Sequence, residues 1–111
     1  MLPKKQRLNL KTNFRWVASG KSTTSPYFKI FYRFGENDEP KAAVSLVSAQ
    51  FKKATQRSAA KRICFSLVSS VYNQLPKSVN LVIMPRVQIL ETDYSILNQT
   101  FTNAISNFKA D

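Results

Sequence analysis

The chain predicts a small, single-domain α+β sandwich, residues 1–111, with helices packed on a sheet. Three observations carry this. The hydrophobic periodicities follow the order helix, strand, strand, helix, strand, helix. The 111 residues fit one compact domain and leave no room for two. The hydrophobic fraction of 43% is that of a chain that buries a core rather than one that stays disordered.

Residues 1–11 form a basic N-terminal segment whose leucines can dock on a core. A first helix is expected from about Thr12 to Ser19, capped by Thr12 or Asn13 and ended by a left-handed Gly20, with Phe14 and Val17 on its apolar stripe. Lys21 to Ser25 is turn-like or a short extra strand. Tyr27 to Tyr32 reads as an aromatic strand, and period two puts Phe28, Ile30 and Tyr32 on one face. Tyr27, Lys29 and Phe31 take the other. Residues Gly35 to Pro40 make a hairpin loop holding three of the six acids, and Ala42 to Ser48 a second strand.

The second helix is expected from about Thr55 to Leu75. Ala60, Cys64, Leu67, Val68, Val71 and Leu75 repeat along one face. Leu81 to Met84 is a short buried strand stopped by Pro85. A last helix runs from about Thr92 to Phe108, with Thr92 as cap, Asp93 at its positive end, and Tyr94, Leu97, Phe101, Ala104, Ile105 and Phe108 as its stripe. Three short helices leave part of one sheet face uncovered, so an open groove is expected beside the second helix.

Residue counts exclude several chemistries. With no His, imidazole acid–base catalysis and triads are absent. One Cys, Cys64, forms no internal disulfide and no Cys-rich zinc site, and its apolar helical position reads as core. Glu36, Asp38 and Glu39 share a loop, while Glu91 and Asp93 sit at a helix start; neither group converges as a two-metal nuclease site does. No catalytic residue and no protein-only metal site is therefore expected. No apolar run spans a bilayer and no signal peptide is evident, which points to the cytoplasm.

The charge points to a polyanion. Seventeen Lys and Arg against six acids give +11, more than solubility needs. Lys52, Lys53, Arg57, Lys61 and Arg62 put five of these cations at the start of the second helix, and no acid lies between Glu39 and Glu91. A solvated helix face normally interleaves both signs, so this end is expected to bind RNA phosphates, helped by free helical N–H groups. On the aromatic strand, Tyr27 and Phe31 beside Lys29 can stack unpaired bases while the lysine meets the backbone, with Phe14 adding to the same wall.

These residues resemble the protein component of bacterial ribonuclease P, in order, length and spacing along essentially the whole chain. Phe14 and Val17 match its Phe-x-x-Val helix, ended at Gly20; Val47-Ser48 matches a strand end, Lys53-Ala54 its Lys-Ala, Arg57 its first arginine, and Lys61-Arg62 its Lys-Arg pair. Four sites depart from the pattern: Ala49-Gln50, Lys52, Ser58-Ala59 and Phe65-Ser66, and family roles there are not carried over.

The resemblance implies an α+β fold with a left-handed crossover around the second helix. It also implies a non-catalytic subunit of an endoribonuclease that removes the 5′ leader from precursor tRNA. The partners it implies are a catalytic RNA, which would hold magnesium and do the chemistry, and the precursor tRNA itself. Lys52, Lys53, Arg57, Lys61 and Arg62 would face the RNA subunit. Phe14, Tyr27, Lys29, Phe31 and Ser48 would line a cleft for the single-stranded leader. No obligate protein partner is evident. The alternative is a stand-alone or ribosome-associated RNA-binding protein on a related fold.

Overall fold

A computed structural model of the chain describes residues 3–46 and 50–108. Its regular elements are α1 (Leu10–Ala18), β1 (Lys21–Thr24), β2 (Phe28–Phe34), β3 (Lys41–Val44), α2 (Ala54–Val71), β4 (Val79–Pro85) and α3 (Tyr94–Ile105). Single 3-10 turns occupy Lys4–Gln6, Tyr72–Gln74 and Val87–Glu91.

The four strands form one mixed sheet in the order β1-β2-β4-β3. β2 runs antiparallel to both β1 and β4, with Ile30 opposite Thr23 on one side and Ile83 on the other. β3 lies parallel to β4, Val44 opposite Ile83, so the chain crosses between them through α2. The N-terminal segment closes the outer edge of β3: Arg7 bridges to Ala42, and the Leu8 N–H donates to the Ala42 carbonyl at 2.9 Å. That contact satisfies an edge that would otherwise present unpaired backbone groups.

Period-two alternation divides the sheet into two unequal cores. Phe28, Ile30, Tyr32, Leu81, Ile83, Ala42 and Val44 face the larger one, where Ala60, Cys64, Leu67 and Val68 of α2 and Leu97, Phe101 and Ile105 of α3 cover them. Phe101 meets Phe28 edge-on at 5.8 Å, and Phe108 stacks on Tyr32 at 4.0 Å. The opposite face carries a small cluster, Val82 and Ala43 of the sheet with Val17 of α1 and Leu8 of the N-terminal segment. One nine-residue helix lies on that side, so much of the face stays uncovered.

Element boundaries differ from the sequence reading for local reasons. α1 starts two residues earlier because Asn9, not Thr12 or Asn13, caps it; the Asn9 side chain accepts from the Lys11 N–H at 3.0 Å. Gly20 does not end that helix in a left-handed conformation, since no described residue has positive φ. Glycine is needed there by proximity: a Cβ would lie 2.7 Å from the Tyr32 carbonyl oxygen. Lys21–Thr24 is a strand. β3 ends at Val44, and the remainder of the strand expected to Ser48 falls partly on residues 47–49, outside the described residues. Asp93 is the cap position of α3, while the Thr92 hydroxyl donates backwards to the Gln88 carbonyl at 2.8 Å. Tyr94 is exposed rather than core, with its hydroxyl 2.9 Å from the Ser66 hydroxyl.

Candidate RNA interface

The start of α2 presents its cations in two different ways. Lys52, Lys53, Lys61 and Arg62 are exposed. Arg57 is half-buried, and its guanidinium donates to the carbonyls of Phe51 at 2.7 Å and Lys52 at 3.3 Å. Helical side chains lean toward the N-terminus, and from the second turn this brings Arg57 back onto the chain that enters the helix. The expectation of Arg57 as an outward cation is thus corrected: it anchors the loop that plants Phe51, fully buried, in the main core. At the helix start itself, the Lys53 N–H donates to Gln56 Oε1 at 3.3 Å.

The outward ridge of α2 is Ser58, Lys61, Arg62 and Phe65, which together line a shallow hollow of about 260 Å³. Their spacing i, i+3, i+4, i+7 places them on one face. Phe65 was missed by the sequence reading, although that spacing from Ser58 marks it. Two cations beside a half-exposed aromatic ring can meet a phosphate and a base or sugar together.

The second cationic site lies on the uncovered sheet face. Lys29 and Phe31 share that face as expected, and the Lys29 ammonium sits 4.8 Å from the Phe31 ring centroid. Phe14 and Phe31 are both half-buried against the small cluster, so the aromatic wall joins α1 to β2. Beside it, Lys29, Met84, Pro85, Arg86 and Gln50 line a hollow of about 290 Å³ with two cations and no acid. Arg86 and Met84 had not been singled out; Met84 follows Val82 at period two, and Arg86 follows the proline that ends β4. Gln50 belongs to the connection into α2, which brings that helix's basic end toward this hollow.

Tyr27 is a correction. It precedes β2 at a bend after Pro26, and it packs on the main core rather than beside Phe31. The Ser25 hydroxyl accepts from the Tyr27 and Phe28 N–H groups at 3.2 Å, and that turn breaks the alternation one residue before the strand begins. Ser48 lies outside the described residues.

Cys64 is fully buried, and burial pushes its thiol up to about 12, so it stays protonated and inert. Glu36, Asp38 and Glu39 are exposed on the loop between β2 and β3, and the expected hairpin there is corrected, because β4 lies between those two strands in the sheet. Among the described residues no three His, Cys, Asp or Glu side chains come together as a metal-holding group.

Comparison with known proteins places the chain in a family and its fold beside solved structures. The profile of the family described as Ribonuclease P matches residues 2–109. The ribonuclease P protein component of Thermotoga maritima is 28% identical over 89 residues, 79% of this chain and 75% of that protein. The solved structure of the RNase P protein from Thermotoga maritima superimposes with a TM-score of 0.84 at 23% identity, covering 94% of this chain and 98% of the other. That of Staphylococcus aureus RNase P protein gives 0.72 at 14% identity, with coverages of 91% and 92%.

Proposed function

The chain belongs to the ribonuclease P protein family, and from that premise we propose that its uncovered sheet face holds the single-stranded 5′ leader of precursor tRNA. As a ribonuclease P protein component it is part of an endoribonuclease ribonucleoprotein that processes tRNA, and its partner is an RNA subunit. The division of labour is the proposal. Lys52, Lys53, Lys61 and Arg62 meet phosphates of the RNA subunit, while Phe14, Phe31, Lys29 and Arg86 receive the leader. The observation that carries this is the Lys29–Phe31 pair on a sheet face that one short helix leaves open.

Unpaired bases stack on aromatic faces while a cation follows the backbone, and neither contact depends strongly on sequence. That suits leaders that differ from one precursor to the next. Magnesium enters through the RNA subunit: this chain lowers phosphate repulsion where substrate and catalytic RNA meet, and so lets the RNA hold its ions at lower concentration. Among the described residues the acids lie in an exposed loop and at a helix start. Among the described residues no helix is long and apolar enough to cross a membrane, and the cytoplasm is the proposed location.

Co-purification tests the reading. The chain should bring down one abundant structured RNA and, with it, tRNA precursors. Recovery of many unrelated RNAs in equal measure would favour a general RNA-binding protein instead.

A further inference from the structure

A further hollow lies on the same sheet face, at the other end from Lys29. It measures about 770 Å³, with Trp16, Asn13, Gly35, Glu36, Lys41 and Asn80 among its lining residues. Along β2 and β4, the pair Arg33–Asn80 is four residues from the pair Lys29–Met84, which is about 13 Å at the rise of a strand. This trough is therefore separate from the leader cleft proposed above, though a continuous single strand could cross both.

Three features make it a built site. The first is a fixed indole. Trp16 is 37% exposed, yet the Arg33 guanidinium lies 4.8 Å from its ring. That guanidinium donates to the Trp16 carbonyl at 3.2 Å and to the Ser19 hydroxyl at 2.9 Å. One face of the ring is covered by a held cation, which leaves the other for a planar ligand.

The second is an oriented amide with an open acceptor oxygen. Asn80 is the one buried polar residue of the described core, 5% exposed. Its amide nitrogen donates to Asn37 Oδ1 at 2.9 Å and, at longer range, to the Arg33 and Ser78 carbonyls. Those three acceptors fix the orientation of the amide, and since no buried side-chain oxygen or nitrogen among the described residues lacks a partner, the Oδ1 of Asn80, a residue that lines the trough, is open to solvent there. A ligand N–H can replace water on that oxygen.

The third is space kept clear. A Cβ at Gly35 would lie 3.0 Å from Trp16 Cη2, 3.0 Å from Asn80 Nδ2 and 3.1 Å from Asn37 Oδ1. Gly35 has no positive φ, so it is the room, and not the backbone, that calls for glycine there.

We propose that this trough binds an unpaired nucleobase with an exocyclic amino group, stacked on the free face of Trp16 and donating from that amino group to Asn80 Oδ1. Lys41 at the rim meets the attached phosphate. The proposal rests on the single-strand-binding reading above, and the following experiment separates the two.

Trp16 is the sole tryptophan of the chain, so its emission reports on the trough alone. The full-length chain is titrated with end-labelled oligoadenylate and oligouridylate, reading label anisotropy and tryptophan emission together. Oligoadenylate should quench Trp16 in step with binding, and should bind about fivefold tighter than oligouridylate, the worth of one hydrogen bond. Trp16→Leu should weaken oligoadenylate binding about tenfold, the loss of one stacked base. Gly35→Ala, which keeps the reporter and crowds the trough, should reduce both quenching and the preference between the two oligomers. Lys29→Ala should weaken both oligomers alike and leave their ratio unchanged. Binding of both oligomers without quenching or preference would overturn the trough and leave the leader cleft standing. Failure of both oligomers to bind would overturn both readings.

Discussion

The guanidinium of Arg57 lies 2.7 Å from the carbonyl oxygen of Phe51. Phe51 is fully buried, and the chain between them turns into α2. A basic residue in a basic run is thus used to hold the fold, while its neighbours Lys61 and Arg62 point to solvent. The run has two jobs, and they separate by mutation.

Arg57→Ala should destabilise the protein by about 1.5–3 kcal/mol, the usual worth of hydrogen bonds from a charged donor. For a domain of this size that lowers the melting temperature by roughly 6–20 °C. Lys61→Ala should stay within about 0.5 kcal/mol of the parent, as surface changes do. Thermal unfolding of the two single variants decides this; equal stability of both would show that the Arg57 contacts contribute nothing.

Affinity for structured RNA should fall steeply as salt rises, because each phosphate contact from Lys52, Lys53, Lys61 or Arg62 releases a condensed counterion. Removing Lys61 and Arg62 together should make the logarithmic salt slope shallower by about one to two units. An unchanged slope would place the contacts elsewhere on the surface.

Phe31→Ala should cost about 1–3 kcal/mol in binding of a precursor tRNA with its leader, and almost nothing with mature tRNA, which has no leader to stack. Because Phe31 also packs on the small cluster, some loss of stability accompanies the change. The comparison is therefore made well below the variant's melting temperature. Equal losses on both RNAs would return Phe31 to a purely structural role.

Gly20→Ala should destabilise the junction of α1 and β1, since the added methyl meets the Tyr32 carbonyl oxygen at 2.7 Å and Arg33 Cβ at 2.9 Å. Neither neighbour is a loose side-chain end, so the backbone of β2 has to shift. A variant as stable as the parent in denaturant unfolding would contradict this account of the glycine.

Cys64 gives a pH prediction. Its folded pKa, about 12, lies above the ordinary 9.0 because burial disfavours the thiolate. Below pH 9 both folded and unfolded states hold the proton, and the contribution is intact. Between 9 and 12 only the unfolded state releases it, so stability falls as pH rises through that window. At neutral pH the native thiol should react with a thiol reagent only as fast as the chain opens. Rapid stoichiometric labelling of folded protein would contradict the burial.

Much of this architecture was legible in the residues. The stripe Ala60, Cys64, Leu67, Val68, Val71 is buried as its period requires, and Phe28, Ile30 and Tyr32 face one core while Phe31 faces the other. What escaped the reading depends on contacts between parts distant in sequence, or on which of two local signals wins. Asn9, Thr12 and Asn13 can each cap a helix, and docking of Leu8 in the small cluster favours the earliest. Tyr27 follows the strand's alternation on paper, but the Ser25 turn changes its side. Arg57 reads as one more surface cation until the carbonyls of the preceding loop are seen around it. Asn80 sits in an apolar strand with nothing local to mark it, and its partners, Asn37 and the Arg33 carbonyl, come from across the sheet.

The most direct measurement is cleavage of a precursor tRNA by a cognate ribonuclease P RNA at low magnesium, with and without this chain. The chain should restore accurate 5′ cleavage at magnesium concentrations where the RNA alone is slow. Phe31→Ala should lose most of that gain on precursors with a leader long enough to reach the cleft, and little of it on those with a leader of one nucleotide. Equal cleavage with and without the chain, across magnesium concentrations, would contradict the account.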